Sequence, residues 1–217
     1  MKYQEQEQAL TEAIFKTLYW TWQPNGCRSS KRTDYLHKKF EELVLQPVAA
    51  QLHKNYDYDH EISVPTHQGE FKIDILARDD NAHIIAFLLK LAGSSYNKNR
   101  FNYSNTEKGE SLRFLSKDLQ KRKVSSVNIL PLQLPRFGKE LKVETLNKYD
   151  IDYMYDMVKP AVARRMQGDV LYFKIAEHIL ESATRKELLG RLKAAGPGAI
   201  TLVNYEAFMS GIEKIMA

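Results

Sequence analysis

Gly69-Glu70-Phe71-Lys72-Ile73-Asp74-Ile75-Leu76 and, beyond a polar turn at Asp79-Asp80-Asn81, His83-Ile84-Ile85-Ala86-Phe87-Leu88-Leu89-Lys90 decide how this chain is read. Both are short apolar runs bounded by turn residues, the pattern of two neighbouring strands. Strand parity puts Phe71, Ile73 and Ile75 on one face and Lys72, Asp74 and Leu76 on the other. In the second run Ile84, Ala86, Leu88 and Lys90 share a face. Antiparallel pairing would then set Asp74 and Lys90 side by side. A charge inside such a strand is costly unless it is paired or performs chemistry. The plain alternative is a structural Asp74–Lys90 ion pair.

Working outward, residues 60–65 read as a third strand on the N-terminal side. Before it, Leu10, Ile14, Leu18 and Trp22 recur at helical spacing over 3–22, and Pro24-Asn25-Gly26 ends that helix. A second helix is predicted over about 34–53 with Leu36, Phe40, Leu43, Val44, Val48 and Leu52 inward, and Pro47 predicts a kink or an early end. After the two strands, 93–105 reads as a Ser/Asn/Tyr-rich loop. Ser104-Asn105-Thr106-Glu107 matches a capping box that opens a helix over about 106–122. Residues 124–134 read as a buried strand broken by prolines. Helices are predicted over 149–165, 171–180, 186–194 and 205–216. The expected fold is α/β: a central mixed sheet of four to five strands flanked by helices in residues 1–144, and a helical C-terminal subdomain in 145–217.

At 217 residues the chain is long enough for one large core with a small satellite. No apolar run approaches the roughly 18 residues that span a bilayer, so no membrane partner is expected. The polar start Met1-Lys2-Tyr3-Gln4-Glu5 is not a secretory signal, and Cys27 is the single cysteine, so a reducing, cytoplasmic setting is expected. The net charge of +5 favours a polyanionic partner. Cations cluster at Arg28, Lys31 and Arg32, and Lys98-Asn99-Arg100-Phe101-Asn102-Tyr103 mixes cations, amides and aromatics just after Lys90, a mixture suited to phosphates and bases. The 6 histidines show no metal-ligand spacing, and with one cysteine no zinc site is legible.

Phe71-Lys72-Ile73-Asp74 followed by Ile84-Ile85-Ala86-Phe87-Leu88-Leu89-Lys90 resembles the PD-(D/E)xK phosphodiesterases of restriction, resolution and repair. The resemblance covers about residues 30–135 and implies a restriction-endonuclease-like core. It implies that Asp74 and the Leu89 carbonyl hold Mg2+, with Mn2+ able to substitute, and that Lys90 orients the attacking water or stabilises developing charge. Phe40-Glu41-Glu42-Leu43-Val44 resembles the family's helix motif, making Glu41 the first candidate for further metal support, ahead of Glu110, Glu107 and Glu70. Lys98, Arg100, Asn102, Tyr103, Arg28, Lys31 and Arg32 are the expected DNA contacts. Duplex DNA is the implied partner, and the type II restriction enzymes it resembles work as homodimers. Leu88 stands where the family carries its second acid. Two functional readings follow: a Mg2+-dependent DNA endonuclease, or a nuclease-like fold that binds nucleic acid or protein without cutting.

Overall fold

The structure is a computed structural model that describes residues 3–66, 69–93, 109–115, 121–138, 140–145 and 165–217. Helix α1, Gln4–Trp22, buries Leu10, Ile14, Leu18 and Trp22 as one stripe at four-residue spacing. It stops at Gln23, whose extended backbone is what a following proline demands. The turn that follows packs so closely on the last turn of α1 that a Cβ at Gly26 would lie 2.1 Å from the Trp20 carbonyl oxygen. Only glycine fits there.

Helix α2, Ser29–Phe40, begins five residues before the predicted start, and it runs on through a π-helical turn, Glu41–Leu45, into α3, Gln46–Gln51. Pro47 does not end the helix. The proline ring and missing N–H disrupt an α ladder one turn upstream, and here that stretch is the wider π turn. The predicted kink thus appears as one inserted residue, with Leu36, Phe40, Val44 and Val48 still facing the core.

Strands β1 (Tyr56–Thr66), β2 (Gly69–Asp79), β3 (Ile84–Leu91), β4 (Arg122–Pro131), β7 (Met166–Ile175) and β8 (Ile200–Leu202) form one sheet in the order β1-β2-β3-β4-β7-β8. Its inner pairs β3–β4 and β4–β7 are parallel, and the pairs on either side are antiparallel. The fold class is α/β as expected, with six strands rather than four to five. Strands β5 (Gln133–Arg136) and β6 (Lys142–Thr145) make a separate hairpin. The helix predicted over 171–180 is the largest departure. Residues Met166–Ile175 are a strand paired along β4, and only Glu177–Leu180 turn helical. The C-terminal stretch therefore supplies sheet as well as the helices Arg185–Ala195 and Tyr205–Met216. Residues 149–164 lie outside the described part of the chain.

One face of the sheet carries the main core. There α1, α2, α3 and the two C-terminal helices pack on Ile75, Ala77, Ile85, Phe87 and Leu89, with Val127 and Ile129 of β4 and Leu171 and Phe173 of β7 beside them. The other face is covered by a helical stretch at 109–115, whose Phe114 and Leu115 pack on Phe71, Ile73, Leu76, Ala86, Leu88 and Val124. Leu88 is 2 % exposed in this second core. A side chain at that position meets Phe114 and Leu115, not solvent.

Candidate metal centre

The clusters reveal a break in strand parity. Ile73 and Ile75, two residues apart, pack on opposite faces of the sheet. The same happens across the hairpin, where Tyr58 packs on the helix face and Ile62 and Val64 on the other. Both strands turn over between these points. The paired residues resume as His60↔Ile75 and Ile62↔Ile73, leaving Glu61 opposite Asp74 at the pivot, with Glu61 at φ 54°. A non-glycine residue with positive φ is held there by its surroundings. The expected regular alternation of Phe71, Ile73 and Ile75 is thus corrected: the strand twists half a turn at Asp74.

Pairing between β2 and β3 stops at the same place, its last bridge being Ile75↔Phe87. Beyond it the Leu89 N–H donates to Asp74 Oδ2 at 2.7 Å, a side chain standing in for a lost ladder bond. The strands part here, and the gap between them exposes a carboxylate.

Helix α2 closes this gap from the core side with His37. Its side chain is 1 % exposed, with Nδ1 3.0 Å from Glu61 Oε1 and Nε2 4.0 Å from Asp74 Oδ2. The His37 imidazole and the Glu61 carboxylate thus face each other as a close pair. Glu61 Oε2 is paired with exposed Lys72. One ligand atom from each of His37, Glu61 and Asp74 lies within 4.8 Å of the other two. Donors sharing one octahedral ion stand about 3 to 4.2 Å apart, so small side-chain rotations would close the set on a cation. Two acids and an imidazole on the edge of a solvent-reachable gap fit a divalent ion.

The electrostatics follow from burial. Desolvation pushes the Asp74 carboxyl above the ordinary range; His37, the Leu89 N–H and Lys90 pull it back, and Glu61 pushes it further up. Burial likewise holds His37 below the ordinary imidazole value, against the opposing pull of Asp74 and Glu61. A cation among them would relieve both acids at once.

Lys90 lies next to this group without pairing directly to Asp74. Its Nζ is 3.8 Å from Glu110 Oε2, and both side chains are about one-quarter to one-third exposed. Glu110 is lifted above the ordinary range chiefly by burial, with Lys90 pulling it down and Asp74 adding to the rise. Asp74, Lys90 and Glu110 therefore share one local field.

Other expectations fare differently. Glu41, the first candidate for metal support, is one turn beyond His37; its Oε2 contacts His60 Nε2 and its Oε1 accepts from Gln46 at 2.7 Å. It is not part of the ligand group, where Glu61 stands instead. Glu70 is exposed at the start of β2, opposite Pro65. Arg28 and Lys31 are exposed at the N-terminal end of α2, and Arg32 donates to the Cys27 carbonyl. Lys98, Arg100, Asn102, Tyr103 and Glu107 lie outside the described residues. His37 and Glu61 were not found from sequence. Folding the β1–β2 hairpin about Thr66 and Gly69 would have set Glu61 opposite Asp74. For His37 the signal was fainter: a histidine on the buried stripe of a helix.

No family model and no curated protein matches this chain. Among solved structures it is similar to the crystal structure of AF1548, a protein of unknown function, at a TM-score of 0.34 and 10% identity over 92% of this chain and 98% of that one. Likeness at that level carries no argument for either fold family or activity.

Proposed function

We propose that this chain is a divalent-metal-dependent nuclease that hydrolyses phosphodiester bonds in DNA, duplex DNA being the substrate its resemblance points to. One observation carries the reading: the converging group of His37, Glu61 and Asp74 lies beside Lys90, where two strands part. Asp74, Glu61 and His37 would hold the ion. The Leu89 carbonyl, on the residue whose N–H binds Asp74, would add an oxygen donor. When bound, the ion supplies a Lewis acid to a phosphoryl oxygen and acidifies a water.

The chain's own residues supply the rest. The Leu89 N–H fixes the orientation of Asp74, and the π turn and helix core fix His37. Lys90 places a positive charge beside the group, where negative charge builds on the phosphoryl oxygens. Glu110 holds the Lys90 ammonium at the mouth of the gap. Exposed Arg28 and Lys31 at the start of α2 are available to backbone phosphates. Cutting both strands would call for a two-fold dimer.

The absent family acid at Leu88 weighs less than its place in the sequence implies. Leu88 packs in the second core, while Glu61 and Glu110 bring carboxylates from β1 and from 109–115. Leu88→Glu, which rebuilds the family triplet, is therefore expected to destabilise the protein by about 3 kcal/mol or more rather than to raise activity.

The test is a cleavage assay on mixed-sequence duplex DNA with Mg2+ and Mn2+, comparing wild type, Asp74→Ala and Lys90→Ala. Metal-dependent cutting that drops about 100-fold or more in both variants supports the reading. Cutting by wild type that equals that of Asp74→Ala, or no cutting with either metal, overturns it.

A further inference from the structure

We propose that the ion taken by this site is a transition-metal dication of the Mn2+, Fe2+ or Co2+ class in preference to Mg2+, with an imidazole nitrogen of His37 as a direct ligand. The inference deepens the metal-dependent reading above and rests on its metal, not on its substrate.

Three features of the geometry point this way. First, His37 is sealed within the protein, 1 % exposed, yet both ring nitrogens are directed at carboxylates, 3.0 Å from Glu61 and 4.0 Å from Asp74. Second, one ligand atom from each of His37, Glu61 and Asp74 lies within 4.8 Å of the other two, close enough for one ion to gather all three. Third, His37 is on a helix fixed by the core, with Leu36 and Phe40 buried beside it, so the nitrogen is delivered by a rigid element.

The donor set then selects the ion. Mg2+ takes oxygen ligands and releases its waters reluctantly, so an imposed imidazole offers it little. Mn2+, Fe2+ and Co2+ accept carboxylates equally well and gain from a nitrogen donor, increasingly so along that series. Beside the two carboxylates of Glu61 and Asp74, the third donor here is an imidazole. His37 is accordingly the specificity-determining residue among the three.

Metal binding to the whole chain tests this without reference to DNA. Isothermal titration of the metal-free protein with MnCl2 and with MgCl2 is expected to give Mn2+ an advantage of about tenfold or more. Pulsed EPR of the Mn2+-loaded wild type is expected to show coupling to one directly bound 14N nucleus, a readout that needs no variant. In His37→Asn the 14N coupling is expected to vanish and the two affinities to converge, with circular dichroism reporting whether that variant keeps its fold. Mn2+ bound without nitrogen coupling, equal affinities in wild type, or no binding of either ion at millimolar concentration would each overturn the inference. Tight, nitrogen-coupled Mn2+ with no DNA cleavage would leave it standing and remove the nuclease reading. Mg2+-supported cleavage lost in Asp74→Ala, with no preference for Mn2+, would do the reverse.

Discussion

Asp74 has two tasks that a single substitution can separate: it accepts the Leu89 N–H that the β2–β3 ladder abandons, and it offers a charge to the gap. Asp74→Asn keeps an acceptor for the N–H and removes the charge. It is expected to hold stability within about 1 kcal/mol while losing metal binding, whereas Asp74→Ala adds about 1–3 kcal/mol for an orphaned buried donor. Urea denaturation beside a metal titration checks both, and equal stabilities for the two variants would remove the structural task. A second acid behaves differently. Asp169 on β7 is 6 % exposed and accepts from Ser125 Oγ and Gln167 Nε2, both at 2.8 Å. Burial raises its carboxyl above the ordinary range despite those bonds and nearby Lys214. A raised value means the folded state prefers the protonated acid. That contribution is whole below the unfolded value of about 3.9 and is lost as pH climbs through the folded one. Wild type is thus expected to lose stability relative to Asp169→Asn as pH rises from about 4 to neutrality. A difference that is flat across that range would rule the linkage out. Asp74 and Lys90 were legible because a lone charge in an apolar strand demands a reason. His37 and Glu61 were not, because each becomes chemical only through a contact distant in sequence: a helix laid over the pivot, and a hairpin whose register had to be known.

The last helix, Tyr205–Met216, illustrates how one residue sets an element's distance. A Cβ on Gly211 would come within 2.2 Å of Asp169 Oδ1, and the Gly211 carbonyl accepts from Gln167 Nε2 at 2.6 Å. Helix propensity alone favours alanine there by about 1 kcal/mol. Packing opposes it, since the helix would have to lift from the sheet. Gly211→Ala is expected to cost about 1–3 kcal/mol net, read from denaturant midpoints. A gain in stability would show that propensity wins and that the helix is free to shift. Elements were legible where their period was unambiguous. The stripe of α1 has no strand alternative over 19 residues. In β7, by contrast, Leu171, Phe173 and Ile175 alternate as a strand requires, while Leu171, Ile175 and Ile179 also fall at helical spacing. Short apolar runs satisfy both periods. Pairing with β4, absent from any local pattern, decides it. The π turn before Pro47 is similar: sequence marks a disturbed helix there but not its form.

Across the whole molecule, the question is whether the metal gap belongs to a unit that ends near residue 144. The described contacts argue for one cooperative body. Strand β7 pairs along the length of β4, and β8 then pairs with β7. Leu171, Phe173, Ile179, Leu188, Leu192, Phe208, Met209, Ile212 and Met216 are buried in the same core as Leu10, Ile14 and Leu18 of α1. Polar ties run the same way. Arg185 Nε donates to the Trp22 carbonyl at 2.5 Å, Tyr3 Oη to Glu213 at 2.7 Å, and Lys123 Nζ to the Ile215 carbonyl at 3.0 Å. Lys123, with Lys54, Tyr56, Asp79, His83 and Arg165, lines a cleft of about 600 Å3. Lys54 and Tyr56 also donate to the Met216 carbonyl, so three side chains of this cleft cap the carbonyl end of the last helix. Each fully buried apolar side chain is worth about 1.5–3 kcal/mol, and the net stability of a domain is only about 5–15 kcal/mol. A fragment of residues 1–144 gives up more than that and leaves the edge of β4 unpaired. It is expected to show no cooperative urea transition and poorly dispersed amide resonances, and to bind no metal, while the full chain unfolds in one step. A 1–144 fragment that unfolds cooperatively and still binds Mn2+ would show that the helices and strands behind it are an accessory, and that the gap between β2 and β3 is held open by the first three strands and α2 alone.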